Sequence, residues 1–587
     1  MTTVQPLPRY SAISPQSLDS LKADILSSTD SYIAVDTETT GLRWVEDRAF
    51  GVSIAWDDKA TFIRNTDYGS ENIGALLTEL FKADYKTFVF HNCEFDLHMI
   101  RETYGAYPPK NLLDTVRLAH LRDTGGPKGL KDLGVQFFGT AASAAQDTIN
   151  MYMKEYKLKK FSFVPADFMD PYACMDTVLT KALAHIFMDE LSERPGHASL
   201  IDMEHRLIPV IMDMEKEGIK VDLEYLSTLH RQLKSEQRDI QDEIYSVVGR
   251  PLEIGSPKQV GEYFYDQLKI KPPLKTESGG RSTNEKALLQ IKHPIGTKVA
   301  TLIKKWRDIE KLDNTYVDKY PSYQYKGRIY GNFNASGTIT GRFSSSSPNL
   351  QNIPRNKIIR RLFIPDQEFF DFDYAQQELR VAAHAAKQQN MIDAFSDGVD
   401  MHMFTANLIW GTGASSDQRQ LAKQTNFAAL YGAGAKKLAE SAGISFNQAK
   451  TIFDQFWGSY PELRYYCETK LAKDISLNGY VRTLYGRRIY LRSEELYKGV
   501  NYVVQGTCAD MGKISMYNVW KYLKGNGGSI RNIVHDSILV DGIKESAIPE
   551  IKDIMEDFID SSNGRFKVPI LVDHKRSIKS WGDMSDE

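Results

Sequence analysis

The chain has 587 residues, 42% hydrophobic and 25% charged, with a net charge of −3 and a pI of about 6.5. That length gives room for three or four compact units of roughly 150 residues each. The charge excludes a simple basic nucleic-acid coat protein, but not an enzyme that grips nucleic acid through local patches.

No run reaches the ~18 apolar residues of a membrane helix. The start, MTTVQPLPRYSAISPQ, lacks the basic and apolar regions of a secretion signal. The four cysteines, Cys93, Cys174, Cys467 and Cys508, form no CxxC pair. They are expected as reduced thiols in the cytoplasm, of a host cell if the protein is viral, and not as zinc ligands or disulfides.

In chain order, SYIAVDTET, RAFGVSIAW and KTFVFHN read as strands, and SLDSLKADILSS and NIGALLTELFKA as helices, which predicts an α/β domain over the first 200 residues or so. A long amphipathic helix follows, with Leu226, Leu229, Leu233, Ile240, Ile244 and Val248 on one stripe. After PLKTESGGRSTNEK comes a helical run near 296–318. ASGTITGRFSSSSPNLQNIPR is too polar for core and too rich in turn residues for a helix. The remainder mixes strands (EFFDFDY, NIVHDSILVDG, KVPILVD) with long helices expected between about 375 and 475 and about 505 and 524. The basic patches KLKK, IKKWR and RNKIIRR each read as solvated surface when taken alone.

IAVDTETTG sets Asp36 and Glu38 two apart on a strand, hence on one face. Adjacent acids raise each other's pKa unless a cation lies between them, and a divalent metal suits carboxylate oxygens. HNCEFDLHMI adds Asp96, and DPYACMDTVLT adds Tyr172 and Asp176, four apart on one helix face. Four acids can hold two metal ions about 4 Å apart for phosphodiester hydrolysis, with Tyr172 orienting the water.

In RQLAKQTNFAALYG, Arg419, Lys423, Phe427 and Tyr431 fall every fourth residue and Gly432 closes the run. Each step of four drifts only about 40° on an α-helix, so these side chains form one stripe of ~18 Å. It suits a nucleoside triphosphate, with the cations on the phosphates and the aromatics beside sugar and base.

Taken together these motifs carry a resemblance. VDTETTG, HNCEFD and YACMD resemble the DnaQ-like 3′–5′ exonucleases. The resemblance implies Asp36, Glu38, Asp96 and Asp176 as metal ligands and Tyr172 as the water-orienting residue. RxxxKxxxFxxxYG, with TGRFSSSSPNLQNIPR, DFDYAQQELRVAAH, DMHMFTA, NYVVQGTCADMGK and VHDSI, resembles the family A DNA polymerases along almost the whole chain.

That resemblance implies an RNase H-like mixed-sheet exonuclease domain followed by a right-hand polymerase with an α+β palm and helical fingers and thumb. Its expected bounds are exonuclease 1–195, thumb and connecting helices 196–325, palm 326–400 and 496–587, and fingers 401–495. It implies two Mg²⁺ ions per active site, with Mn²⁺ as a substitute. Asp373 and Asp536 would be the polymerase metal ligands, with Tyr374 counted beside them. Lys423 would assist the leaving pyrophosphate. Arg419, Lys423, Phe427, Tyr431, His402, Tyr374 and Glu378 would bind nucleotide, Glu378 blocking a 2′-hydroxyl. Arg342, Asn349, Gln351, Asn352, Asn501, Gln505 and His535 would contact DNA. Primer–template DNA and dNTPs are the implied partners of a monomer with no membrane contact, alongside replication proteins such as a helicase-primase and a single-strand binding protein.

The sequence departs from the family pattern in places. Ser537 replaces the usual acid of motif C, Ala375 and Gln377 stand where Ser and Ile are common, and Tyr497 and Lys498 stand where an arginine is usual. Asp371 lies two before Asp373 and is expected as a surface or hydrogen-bonded acid. With no 5′-nuclease segment ahead of the exonuclease, the chain is expected to be a phage genome replicase. The rivals are a single-subunit RNA polymerase, a silent DNA-binding scaffold and a repair enzyme. Glu378 and the complete acid set argue against the first two.

Overall fold

The computed structural model describes residues 4–559 and 564–585. It forms two compact units. The first gathers Met1–Lys216, Phe333–Ser345 and Asp371–His574, and the second Glu217–Asn332, Ser346–Phe370 and Lys575–Glu587. Among the described residues no helix is long and apolar enough to cross a membrane.

The first unit begins with a six-stranded mixed sheet. Its strands are β1 (Ser11–Ala12), β2 (Tyr32–Thr39), β3 (Ala49–Trp56), β4 (Lys59–Arg64), β5 (Thr87–Phe90) and β6 (Leu112–Asp114), in the order β1-β4-β3-β2-β5-β6. β2 is central because Ile33, Ala34 and Val35 are all fully buried, and strands covered on both faces read as continuous apolar runs. β2 pairs antiparallel with β3 and parallel with β5. A bulge between Glu38 and Thr39 ends regular pairing beside the two acids. The 27-residue helix Ala166–Ser192 packs over this sheet and carries Tyr172 and Asp176 on its first turns.

A second sheet of the unit runs in the order Ser529–Val534, Ser537–Asp541, Phe369–Tyr374, Val572–Ser577. The expected strand over KVPILVD starts only at Val572. Val568 and Ile570 are buried by packing, so their alternation mimics a strand. The long helices expected from 375 to 475 are a series of short ones, including Met401–Trp410, Ser416–Leu430, Ala435–Ala442 and Phe446–Ser459. The breaks have local causes. Ser415 with Gln418, and Ser445 with Gln448, form capping boxes that start new helices. Gly411, Gly413 and Gly443 take positive φ between them. The helix Gly499–Asn526 is unbroken, as expected.

A buried ionic cluster joins the helices His197–Glu217 and Gly499–Asn526. Glu204 Oε1 accepts from Arg487 at 2.5 Å and from Lys513 at 2.6 Å, and Arg487 also pairs with Asp510 at 2.7 Å, all four side chains being fully buried. Arg117 donates to the Glu204 carbonyl at 2.8 Å and pairs with Glu94. His120 Nε2 lies 2.8 Å from the Thr338 carbonyl. Burial alone would raise the Glu204 pKa, but Lys513, Arg487 and Arg117 hold it well below the usual carboxylate range. A depressed carboxylate gives stability that is full above its unfolded pKa and lost as pH falls through the folded one. Glu204→Gln is therefore expected to cost about 3–5 kcal/mol at pH 7 by leaving buried cations undercompensated. Denaturant unfolding should show the gap from wild type closing as pH falls below about 4.

The second unit contains the amphipathic helix Leu223–Val248, packed on Pro294–Leu312. The expected stripe is buried except at its end, where Val248 is half-buried. Asp222 caps the helix by accepting from Tyr225 N at 2.8 Å, and Gly249 closes it at φ 75°. A small antiparallel sheet orders Phe363–Ile364, Ile219–Val221, Arg328–Ile329 and Gln324–Tyr325.

Candidate active sites

The acids expected for hydrolysis converge at β2. A carboxylate oxygen from each of Asp36, Glu38 and Asp176 lies within 4.8 Å of the others. Asp96, on the helix Cys93–Tyr104, accepts from Thr37 Oγ1 at 2.6 Å and Thr37 N at 3.1 Å, which fixes it beside Asp36. That helix starts abruptly because Asn92 adopts a left-handed conformation, its N–H held by Asp114 at 2.9 Å. Burial pushes Asp36 up to about 7, and it pushes Glu38 and Asp96 well above the usual range, with Asp36's charge adding in both cases. A buried cluster that resists ionisation is a fit for divalent cations, which take several carboxylate oxygens.

Sequence reasoning missed Lys131. Its ammonium, on the helix Leu130–Phe138, pairs with Asp176 and lies 4.5 Å from the Tyr172 ring centre. Burial pulls its pKa down to about 8 against the opposing pull of Asp36 and Glu38. Only tertiary packing brings it there, from a segment with no visible motif. A second group of possible ligand atoms, Cys93, Glu94 and Asp114, is occupied by the Arg117 guanidinium.

The second site centres on the other sheet. Asp373 is the penultimate residue of Phe369–Tyr374, and Asp536 sits in the turn just before Ser537–Asp541, the neighbouring strand. His535 makes that turn with φ 57° and is exposed. Ser537 is buried, and its hydroxyl donates to the Val534 carbonyl at 3.3 Å. The serine thus closes the turn on itself. Burial raises the Asp536 pKa and Glu378 adds to it, while Arg342 and His535 oppose. An acid so placed also fits a cation. Asp371 is half-buried on the same strand.

Glu378 joins the site to the stripe. It accepts from Arg342 at 2.5 Å and from the Tyr431 hydroxyl at 2.9 Å. Burial lifts the Tyr431 pKa to about 12, with Glu378 assisting and Gln505 hydrogen-bonding to the same hydroxyl. Arg342, Tyr374, Gln377, His535 and Asp536 line one cleft. The Tyr374 hydroxyl is 2.6 Å from Ser515 Oγ, so its ring lines the cleft while its polar atom is spent elsewhere. Gln377 is buried with its amide 4.0 Å from Met511 Sδ, and nothing in the structure explains an amide there.

The stripe forms on Ser416–Leu430, with Tyr431 as the residue that closes the helix. The Phe427 and Tyr431 rings stack at 6.0 Å, and His402 lies 6.0 Å from Phe427. Arg419 forks onto Asp400, at 2.6 Å for Nη2. Gly432 has φ 65°, and a Cβ there would lie 2.0 Å from the Tyr497 carbonyl, so both conformation and space require glycine. Lys498, beside Tyr497, pairs with Glu495 at 2.8 Å.

The residues expected to contact DNA fall in both units. Arg342, Asn501, Gln505 and His535 belong to the first unit, and Asn349, Gln351 and Asn352 to the second. Asn349 spends its side-chain oxygen on Gln351 N (3.0 Å) and Asn352 N (3.1 Å), capping a short turn. The buried Asn501 Oδ1 has no hydrogen-bond partner among the described residues.

Comparison with known proteins finds relatives of both regions. Residues 14–192 match the family model described as 3′–5′ exonuclease, and residues 223–583 match DNA polymerase family A. The chain is similar to DNA polymerase I of Chloroflexus aurantiacus, 31% identical over 94% of this chain and 61% of the relative. It is also similar to DNA polymerase I of Pseudomonas aeruginosa, 28% identical over 92% of this chain and 62% of the relative. The chain thus spans about three-fifths of these relatives. Among solved structures it resembles the POL domain of Pol1 from M. smegmatis in complex with DNA primer-template and dNTP. That match has a TM-score of 0.81 and 25% identity, and covers 97% of this chain and 99% of that one. The chain belongs to DNA polymerase family A, with a 3′–5′ exonuclease domain ahead of its polymerase domain.

Proposed function

We propose that the protein extends a DNA primer on a template with dNTPs and removes misplaced nucleotides from the primer's 3′ end. The observation that carries this is the bridge from Tyr431, at the foot of the nucleotide stripe, through Glu378 and Arg342 to the cleft of Asp536. In this reading the sugar end of a bound nucleotide lies beside the acids. The solved relative is itself a complex with DNA primer-template and dNTP, which supports this reading. The relatives are bacterial, and the expected phage genome replication finds no support among them.

Divalent ions, Mg²⁺ or Mn²⁺, held by Asp373 and Asp536 and by Asp36, Glu38, Asp96 and Asp176, would supply activation of the attacking oxygen and neutralisation of the leaving group. The protein's own residues do the rest. Lys423 and Arg419 meet the triphosphate, which competes with Asp400 for Arg419. Lys423 offers charge and a proton to the departing pyrophosphate. Phe427 and Tyr431 flank sugar and base, and Glu378 occupies the space of a 2′-hydroxyl. In the exonuclease, Tyr172 orients the water.

Glu378→Ala is expected to lower discrimination against ribonucleotides by about two orders of magnitude, equivalent to ~2.7 kcal/mol. Glu378→Gln, which keeps the bulk, should largely retain it. Single-nucleotide insertion with rNTP and dNTP in parallel reads the ratio, and equal ratios for Ala and wild type would remove Glu378 from that role. The function itself is tested by primer extension on single-stranded template with Mg²⁺, comparing the protein with its Asp36→Ala/Glu38→Ala variant. Extension by both, and primer degradation without dNTPs by the unmutated protein alone, is expected. Degradation without extension would overturn the polymerase reading.

A further inference from the structure

We infer that Asn426 fixes the tautomer of His402, so that the ring meets the triphosphate as a neutral Nε2–H donor and not as a third cation. This rests on the nucleotide-binding reading above.

A chain of buried polar groups runs along the buried edge of the stripe. The Tyr460 hydroxyl is 2.7 Å from Thr405 Oγ1, which donates to Asn426 Oδ1 at 3.2 Å. On its other side Asn426 Nδ2 lies 3.0 Å from His402 Nδ1. All four residues are at most 4% exposed. An amide nitrogen carries only protons, so Nδ1 must accept and is bare, and the proton of a neutral ring is then on Nε2. Reversing the amide would demand the opposite tautomer, with the Thr405 hydroxyl turned to the Met401 carbonyl at 2.9 Å. The inference is therefore a statement about the position of one proton.

The surroundings keep the ring neutral. Burial lowers its pKa to about 4, and Lys423 and Arg419 on the stripe helix push the same way. Asp400, which caps the helix bearing His402, opposes them without prevailing. Two cations already face the phosphates. A neutral donor adds direction without the cost of burying a further charge. Asn426 touches no nucleotide in this scheme and is a positioning residue acting through His402.

The test is the ring's ¹⁵N spectrum in the full-length protein labelled at histidine. His402 is identified by its absence from the His402→Gln spectrum or, should that variant not fold, by its through-space contact with Phe427. At pH 7 a pyridine-type Nδ1 and a pyrrole-type Nε2 are expected. Asn426→Asp, which can only accept, should place a proton on Nδ1 and raise KM for dNTP by up to about tenfold with little change in kcat, the worth of one neutral hydrogen bond. A protonated Nδ1 or a charged ring in the unmutated protein would overturn the inference. So would an Asn426→Asp protein whose tautomer has switched while its KM has not. If extension proceeds and the tautomer is reversed, the inference alone fails. If the unmutated protein neither binds nor incorporates dNTP, the nucleotide-binding reading fails with it.

Discussion

Replacing Asp373 or Asp536 by asparagine is expected to slow primer extension about a thousandfold or more, equivalent to ~4 kcal/mol of barrier, while primer degradation continues. Asparagine keeps the shape and removes the charge that would hold a cation. The two acids belong to adjacent strands, Asp373 near the end of one and Asp536 just before the other. Asp541, the nearest further acid on that strand, is buried and pairs with Arg531. Ser537 is turned into its own turn. Stability should move differently. Asp536 has a raised pKa in the fold, so its ionisation costs stability as pH rises above the ordinary carboxylate range. In metal-free buffer, the stability of Asp536→Asn relative to the unmutated protein should therefore rise as the pH is taken from below the ordinary carboxylate range up to neutral. A variant that lost extension only because it was unfolded would fail this melting test, and undiminished extension by either variant would move the chemistry elsewhere.

The second large effect belongs to Asp36 and Glu38. Changing both to alanine is expected to lower degradation of single-stranded primer by about a thousandfold or more, with extension retained. Both belong to the buried group whose protons are held unusually tightly, Asp36 up to about 7. Metal must displace those protons, so binding should tighten with pH. The melting shift produced by Mg²⁺ should accordingly be larger at pH 8 than at pH 6 in the unmutated protein, and smaller in the double variant. A pH-independent shift would mean that the acids are already ionised without metal.

Much of both sites was legible because it is periodic. Asp36 and Glu38 share a face through the two-residue period of β2, Tyr172 and Asp176 through the helical repeat, and Arg419 to Tyr431 through a four-residue step that barely drifts. Sequence spacing cannot reveal partners that arrive from elsewhere. Lys131 reaches Asp176 across 45 residues, and Glu378 joins Arg342 and Tyr431 from 36 and 53 residues away. Asn426 lies within the stripe motif, seven residues after Arg419 and so at the buried edge of the same face, where only packing reveals His402 and Thr405. The divided helices between 375 and 475 were legible in principle, since the Ser–x–x–Gln capping pairs at 415 and 445 are in the sequence.

The ionic cluster around Glu204 bears on modularity. Sorted by origin, its members fall into two groups. Glu204 and Asp510 face Arg487 and Lys513 on the polymerase side of the chain, two negative against two positive. Glu94 and Asp114 face Arg117 on the exonuclease side. A cut near residue 197 would sever the contacts of Arg117 to the Glu204 carbonyl and carboxylate and those of His120 to the Thr338 carbonyl and Arg487, leaving the polymerase group two against two. The join thus separates unequal halves: a detached polymerase half keeps its charges matched, whereas a detached exonuclease half is left with two acids on one guanidinium.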